Sequence, residues 1–325
     1  MLAGVLAFGA GCSKQPGPAS GAPLPQVRLK TDWYPQAEHG GFYQAVAKGY
    51  YKEAGIEVEI IPGGPGVPVS QIVLSGQVDI AIGRSDDIIA WGSQGLPLVM
   101  VGVYMERDPQ AILVHDESPV KTFADLNGRT IMGVPGSNWI DYLKLHYHID
   151  FRLIPSNFGI AQFMADPNFI QQCFVTNEPF FVRKNGAHPR TLLMSDSGFK
   201  PYRVLYTTQR YLRDHTPEVR AFLAASQRGW DDFMNRDPAP GKALIVKNNE
   251  NMSDAFMDYS IQAMRDYQIV AGKPEAGERP GLMTRARLEE QMHDLVQLKI
   301  IPELLPVDKF ARFDLMPPDV HAGAQ

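Results

Sequence analysis

Apolar runs of strand length alternate with stretches of helical spacing along most of this chain, and that alternation restricts it to an α/β architecture more sharply than any other feature. Residues 27–30 alternate into Asp32-Trp33-Tyr34-Pro35, a strand closed by a turn. Phe42, Ala45, Val46 and Gly49-Tyr50 then keep helical spacing until Gly55 stops it, and 56–61 alternates again. A turn at 63–66, a short helix at 70–74, a strand at 78–83, a helix at 86–91 and strands at 98–103 and 111–114 complete a first unit. Strands joined by helices in this way predict a parallel sheet.

A second unit opens with a helix from Phe123 and a strand ending at Val134, followed by the turn Pro135-Gly136-Ser137-Asn138, where Ser137 suits a helix N-cap. Strands are expected at 151–154 and 173–176 with a helix near 160–164 between them, and 191–194 and 203–207 are read as strands returning to the first unit. Beyond Pro217, which fits a first helical turn, the spacing of Val219, Phe222, Leu223, Trp230 and Phe233 predicts a long helix, with further helices at 253–266 and 284–298. The division expected is a leader and tether over 1–26, lobe I from 27–113 plus 203–325, and lobe II from 114–202.

A length of 325 residues, 44% hydrophobic, allows two separate cores. The net charge of −5, with Lys and Arg scattered, leaves no cationic field for a phosphate backbone, so nucleic acid is excluded as a partner. Beyond the extreme N-terminus no apolar run approaches the roughly 20 residues that cross a bilayer. Only Cys12 and Cys173 are present, too few for a disulfide framework or a cysteine metal site, and Cys173 in an apolar run reads as a buried, inert thiol. No G-x-S-x-G element, Gly-rich phosphate loop with Lys, or His/Cys metal spacing supports catalysis, and neither metal nor cofactor is expected.

The start is apolar from Leu2 to Phe8, small at Gly9-Ala10-Gly11, and reaches Cys12 before a Pro/Gly/Ala/Ser stretch ending at Pro25. It resembles a bacterial lipoprotein signal, which implies acylation of Cys12, a mobile tether, and anchorage in the periplasm or at the cell surface. The alternative is an N-terminal segment whose cysteine is incidental.

The order Asp32-Trp33-Tyr34-Pro35, His39-Gly40-Gly41-Phe42-Tyr43-Gln44-Ala45, Gly49-Tyr50-Tyr51 is similar to the start of ABC-importer proteins that bind thiamine pyrimidine precursors. Ser75-Gly76-Gln77-Val78-Asp79, Asp125-Leu126-Asn127-Gly128 and Thr176-Asn177-Glu178-Pro179-Phe180 extend the resemblance over roughly residues 27–302. It implies a bilobal type II periplasmic-binding-protein fold, ligand in the cleft, a monomer, and an ABC permease and ATPase as partners. Sulfonate and riboflavin-like binders share that frame, as does a fungal synthase of hydroxymethylpyrimidine phosphate. The synthase family carries a cysteine-rich motif near the point held here by Phe199-Lys200-Pro201-Tyr202-Arg203, where this chain has no cysteine.

Ligand contacts in α/β sheets gather at strand carboxyl ends and the helix starts beyond them. Trp33, Tyr34 and Phe42 are candidate aromatic faces for a planar heterocycle, with Trp33 alternatively a core residue under the first helix. His39 could bond a ring nitrogen or cap backbone. Glu178 could accept two hydrogen bonds from an aminopyrimidine-type edge, or form a hinge ion pair; Asn177 and Asn157 offer amides but also suit turns. Arg84 with Ser85 could clamp an anionic group, or Arg84 could serve an ion pair. Ser137, Asn138 and Trp139 complete the candidates at the second unit's first helix.

Overall fold

The computed structural model describes residues 23–315; Cys12 and the leader lie outside them. In chain order the elements are β1 (Gln26–Lys30), α1 (Gly40–Ala47), α2 (Tyr50–Glu53), β2 (Glu57–Ile61), α3 (Val69–Leu74), β3 (Ile80–Arg84), α4 (Ser85–Ser93) and β4 (Leu98–Met105). Then come β5 (Gln110–His115), β6 (Thr130–Gly133), α5 (Asn138–His146), β7 (Arg152–Pro155), α6 (Ala161–Ala165), β8 (Ile170–Phe174), α7 (Glu178–Lys184) and β9 (Pro189–Leu193). The chain returns through β10 (Arg203–Thr208) and closes with α8 (Gln209–Asp214), α9 (Thr216–Asn235), α10 (Ala239–Asn248), α11 (Asp254–Asp266) and α12 (Arg285–Gln297).

The strands form two sheets, ordered β2-β1-β3-β10-β4 and β7-β6-β8-β5-β9. In the first, β1 runs parallel to β2 and β3, but β10 is antiparallel to both β3 and β4, so the sheet is mixed where the sequence suggested a parallel one. The second sheet repeats the pattern, with β5 antiparallel to β8 and β9.

Two strands change unit relative to expectation. Residues 111–114, placed in lobe I, belong to β5 of the second sheet, and 191–194, read as a return strand, are largely β9 at its edge, where Ala111 faces Leu193. An apolar run shows that a strand is buried on both faces; it carries no signal for which sheet accepts its hydrogen bonds. The chain therefore crosses between sheets at 106–109 and 194–202, and Arg107 and Asp196 pair to tie the two crossings together. Arg107 is itself held by the chain that follows α11, its amide donating to the Ile269 carbonyl at 3.0 Å and its Nη1 to that of Tyr267 at 2.5 Å.

Strand β4 lies at one edge of the first sheet yet all its residues are buried, because the C-terminal segment covers it. Met100 N donates to the Phe310 carbonyl at 2.7 Å and Arg312 N to that of Met100 at 3.0 Å, closing an edge that would otherwise invite another chain. On one side of this sheet α1 packs on α9 through glycines. A Cβ on Gly41 would lie 2.2 Å from the Trp230 ring, and one on Gly229 would lie 2.2 Å from the Gly41 carbonyl oxygen. This close approach is the structural reason for Gly40-Gly41 beside His39.

Gly229→Ala, whose methyl meets backbone that cannot swing away, is expected to lower stability by about 1–3 kcal/mol in urea unfolding. Ala224→Ser, exposed on the same helix, should leave the midpoint unchanged; equal midpoints for the two variants would show that the helices can part at no cost.

Candidate ligand-binding cleft

The carboxyl ends of β1 and β3 face those of β6, β7 and β8 across a seam centred on Arg203. As the first residue of antiparallel β10, Arg203 reaches the same end of the first sheet as the last residues of its parallel neighbours, facing Arg84 in register. Its side chain is 8% exposed and donates from Nη2 to Asp32 Oδ2 and from Nε to the Tyr104 hydroxyl, the latter at 3.1 Å. Its Nη1 stands 4.0 Å from Asp108 Oδ2 in the first crossing, and its guanidinium lies 6.0 Å from the Phe174 ring at the end of β8. One buried cation thus joins both sheets and a crossing segment.

Other contacts bridge the seam directly. Asn138 Nδ2 donates to Asp86 Oδ2 at 2.8 Å, Arg84 Nη1 to Gln110 Oε1 at 3.2 Å, and the Thr176 hydroxyl to Glu38 Oε1. The Trp33 ring lies 5.2 Å from that of Phe158, tilted by 50°. Phe158 has a positive φ of 58°, uncommon for a bulky residue, and sits 51% exposed at the tip of its loop. Its amide donates to Ser156 Oγ at 3.1 Å, and Asn157 Oδ1 accepts from Gly159 N at 3.0 Å, so local turns hold the ring in place.

The seam is rich in carboxyl groups whose protons are shifted in opposite directions. Burial alone would raise Asp32, but the Arg203 cation and the His39 ring, whose Nε2 is 3.3 Å away, outweigh it and hold Asp32 well below the usual range. Glu38 has a bond from Thr176 and no full cationic partner, so burial pushes it up to about 7, with Glu178 and Asp32 adding to the rise. Glu178 is likewise pushed up to about 7 by burial, although Phe174 N donates to its Oε2 at 2.8 Å. Near neutrality Asp32 is therefore firmly ionised, whereas Glu38 and Glu178 can donate or accept a proton.

The sequence candidates divide in two. Trp33, His39, Arg84, Asn138 and Glu178 lie along the seam, and Asn177 adjoins Thr176 there. Tyr34 is exposed beside them, edge-on to Trp33 at 5.7 Å. Phe42 and Trp139, expected as ligand contacts, are both 0% exposed: Phe42 packs against Phe222 and Trp230, and Trp139 against Phe151. Both lie on the inward faces of their helices. Ser85, expected beside an anion, is buried and gives its hydroxyl to Gln291 at 2.5 Å while accepting from Tyr202 N. Arg84 spends its fork on Asp86, at 3.1 and 2.6 Å, which contradicts the expected clamp on an anion. Ser137 donates to the Val134 carbonyl and does not cap α5, and Asn157 serves the Phe158 turn. Cys173 is buried as expected.

Asp32, Asp108, Phe158 and Arg203 were missed, while Glu38, Asp86 and Thr176 lie in the strand-end stretches that gave the candidates without being named among them. Asp32 stands at the strand end that singled out Trp33, so the same rule reaches it; Arg203 begins a strand, and only the antiparallel topology brings it here.

Residues 36–239 match the protein family described as NMT1/THI5 like. This chain belongs to that family. A formylaminopyrimidine-binding protein of Halalkalibacterium halodurans is 26% identical over 243 residues, covering 70% of this chain and 72% of the relative. A Saccharomyces cerevisiae 4-amino-5-hydroxymethyl-2-methylpyrimidine phosphate synthase, THI11, is 25% identical over 277 residues, covering 76% and 82%. The alkanesulfonate-binding protein SsuA from Xanthomonas axonopodis pv. citri superposes with a TM-score of 0.64 at 16% identity, covering 90% of this chain and 99% of its own. This NMT1/THI5-like chain therefore has the bilobal α/β fold of type II periplasmic binding proteins, in agreement with its two mixed sheets.

Because Glu38 keeps its proton to about pH 7 in the folded chain against an ordinary value of 4.5, the unfolded chain loses that proton first as pH rises. Its contribution to stability is thus complete below about pH 4.5 and declines through pH 7. Glu38→Gln, which retains the neutral form, should gain about 1–3 kcal/mol over wild type in urea unfolding between about pH 5 and pH 8. Parallel stability curves for the two proteins would show that Glu38 ionises freely in the fold.

Proposed function

We propose that this chain is the solute-binding component of an ABC importer, closing its two lobes on a planar heterocycle of the thiamine-precursor pyrimidine class and releasing it unchanged to a permease. The observation that carries this reading is the pairing of Trp33 from one lobe with Phe158 from the other beside the Asp32, Glu38 and Glu178 carboxyls. A flat ring can stack on Trp33, while carboxyls near their midpoint can accept from an exocyclic amino group or donate to a ring nitrogen. The similarity to a formylaminopyrimidine-binding protein supports the same class of ligand.

In this reading Trp33, Tyr34, His39, Asn138, Asn177 and Glu178 face the ligand, and Phe158 closes over it. His39 Nδ1, buried with no partner among the described residues, is available to the bound molecule. Lobe I comprises β1 to β4 and the chain from β10 onward, lobe II comprises β5 to β9, and closure bends the segments at 106–109 and 194–202. Contacts from both lobes exist only in the closed form, so ligand shifts the population toward it. The protein acts as a monomer outside the cytoplasm, tethered through an acylated Cys12. Among the described residues no helix is long and apolar enough to cross a membrane.

A second reading, synthesis of the pyrimidine, draws on the similarity to the yeast synthase. The lack of cysteine across residues 199–203 disfavours it.

Calorimetry with formylaminopyrimidine and hydroxymethylpyrimidine should give saturable binding, with ligand recovered intact. Trp33→Ala is expected to weaken it about ten- to hundredfold through loss of stacking, and Glu178→Gln to weaken it without lowering the melting temperature. Unaltered affinity in both variants, or conversion of the ligand, would overturn the reading. Cells fed labelled fatty acid should label the wild type and not Cys12→Ser; equal labelling removes the lipid anchor.

A further inference from the structure

Acids outnumber cations along the seam, and the cations are already engaged. Arg203 is paired with Asp32 and faces Asp108, and Arg84 is paired with Asp86. Lys30, at the end of β1, gives its ammonium to the Pro62 carbonyl, and the His39 ring lies against Asp32.

Among these acids Asp86 is placed apart. It is second in α4, its side chain is 1% exposed, and it accepts from Arg84 at both oxygens: from Nη2 at 2.6 Å and from Nε at 3.1 Å. Its Oδ2 also accepts from Asn138 Nδ2 at 2.8 Å. Arg84 ends β3 in the first sheet, whereas Asn138 opens α5 beyond β6 of the second. One carboxylate therefore lies between an arginine fork of one lobe and an amide at a helix start of the other. The fork is fixed from elsewhere too, since Arg84 Nη1 donates to Gln110 Oε1 at 3.2 Å and the guanidinium lies 5.9 Å from the Phe199 ring in the second crossing. A two-pronged guanidinium with a further N–H donor is the arrangement that phosphate and sulfonate groups need, and here the chain supplies the oxyanion itself.

We infer that Asp86 determines the charge of the ligand: as a tethered anion between Arg84 and Asn138 it holds the place of a ligand phosphate or sulfonate, so the cleft admits a heterocycle without an anionic group and refuses its phosphorylated form. An incoming oxyanion must either displace Asp86, stranding a buried carboxylate away from its cation, or stand unpaired among the other acids. Both arrangements are strongly unfavourable, because buried like charges repel and a lost partner is not replaced by water. A neutral amino heterocycle meets neither obstacle. The assignment rests on the seam being the ligand cleft proposed above.

Methanesulfonate is the bare-anion probe, titrated calorimetrically at low ionic strength. The wild type should show no saturable binding, whereas Asp86→Asn, which frees the fork and keeps the shape, should bind at least about a hundredfold more tightly, the scale of a bidentate charge-assisted contact. Adding Arg84→Gln to Asp86→Asn should abolish that gain, with thermal melts showing that each variant is folded. A second measurement needs no variant: wild-type protein should bind hydroxymethylpyrimidine at least about a hundredfold more tightly than hydroxymethylpyrimidine phosphate. Saturable methanesulfonate binding by the wild type, no gain in folded Asp86→Asn, or equal affinity for the two pyrimidines would overturn the role of Asp86, the last of these leaving the proposed pyrimidine class intact. Binding of neither pyrimidine would strike the proposed function alone, since the methanesulfonate titrations judge Asp86 by themselves.

Discussion

A buried guanidinium tolerates very few arrangements around it, and Arg203 imposes its own on this fold. Taking the cation out of water is costly unless carboxylates and hydrogen bonds replace the lost hydration. Here the replacements come from separate stretches of chain: Asp32 beyond β1, the Tyr104 hydroxyl on β4, Asp108 in the first crossing, and the face of Phe174 at the end of β8. Removing any one leaves a charge short of partners, so the sheet ends and the crossing are fixed together. A strand entering antiparallel is the device that delivers this side chain to the carboxyl ends of its neighbours.

Around that fixed point the seam contains groups of graded readiness. Asp32 is committed to Arg203, whereas burial pushes Glu38 and Glu178 up to about 7, an effect that the His39 charge only partly offsets at Glu38. The same acid type therefore plays two parts, set by whether a guanidinium stands beside it. Phe158 adds a different kind of readiness: an exposed ring in a left-handed turn is held outward by its neighbours, where a collapsed loop would bury it.

Much of the fold was legible in sequence because β1 alternates, β3 and β4 are continuous apolar runs of strand length, and α9 keeps helical spacing. Sheet membership was not, since β5 is as apolar as the strands it was grouped with, and for β5 and β9 alike only hydrogen-bond partners reveal the sheet. The candidate site was legible in so far as it obeys the strand-end rule, which located Trp33, Arg84, Asn138 and Glu178. Phe42 and Trp139 failed for a common reason: proximity to a strand end fixes where a helix starts, not which way a side chain turns from it. Arg203 and Asp108 escaped because their roles depend on partners far away in sequence.

The cover that residues 310–312 place over β4 has a consequence for the history of each molecule. The first sheet draws its strands from the opening third of the chain, its antiparallel insert from the middle, and its edge seal from almost the last described residues. Wherever the chain folds, the first sheet therefore has one border unprotected until residues 310–312 have docked on it. A chain cut short before Phe310 would leave the Met100 backbone groups open to pairing with another chain.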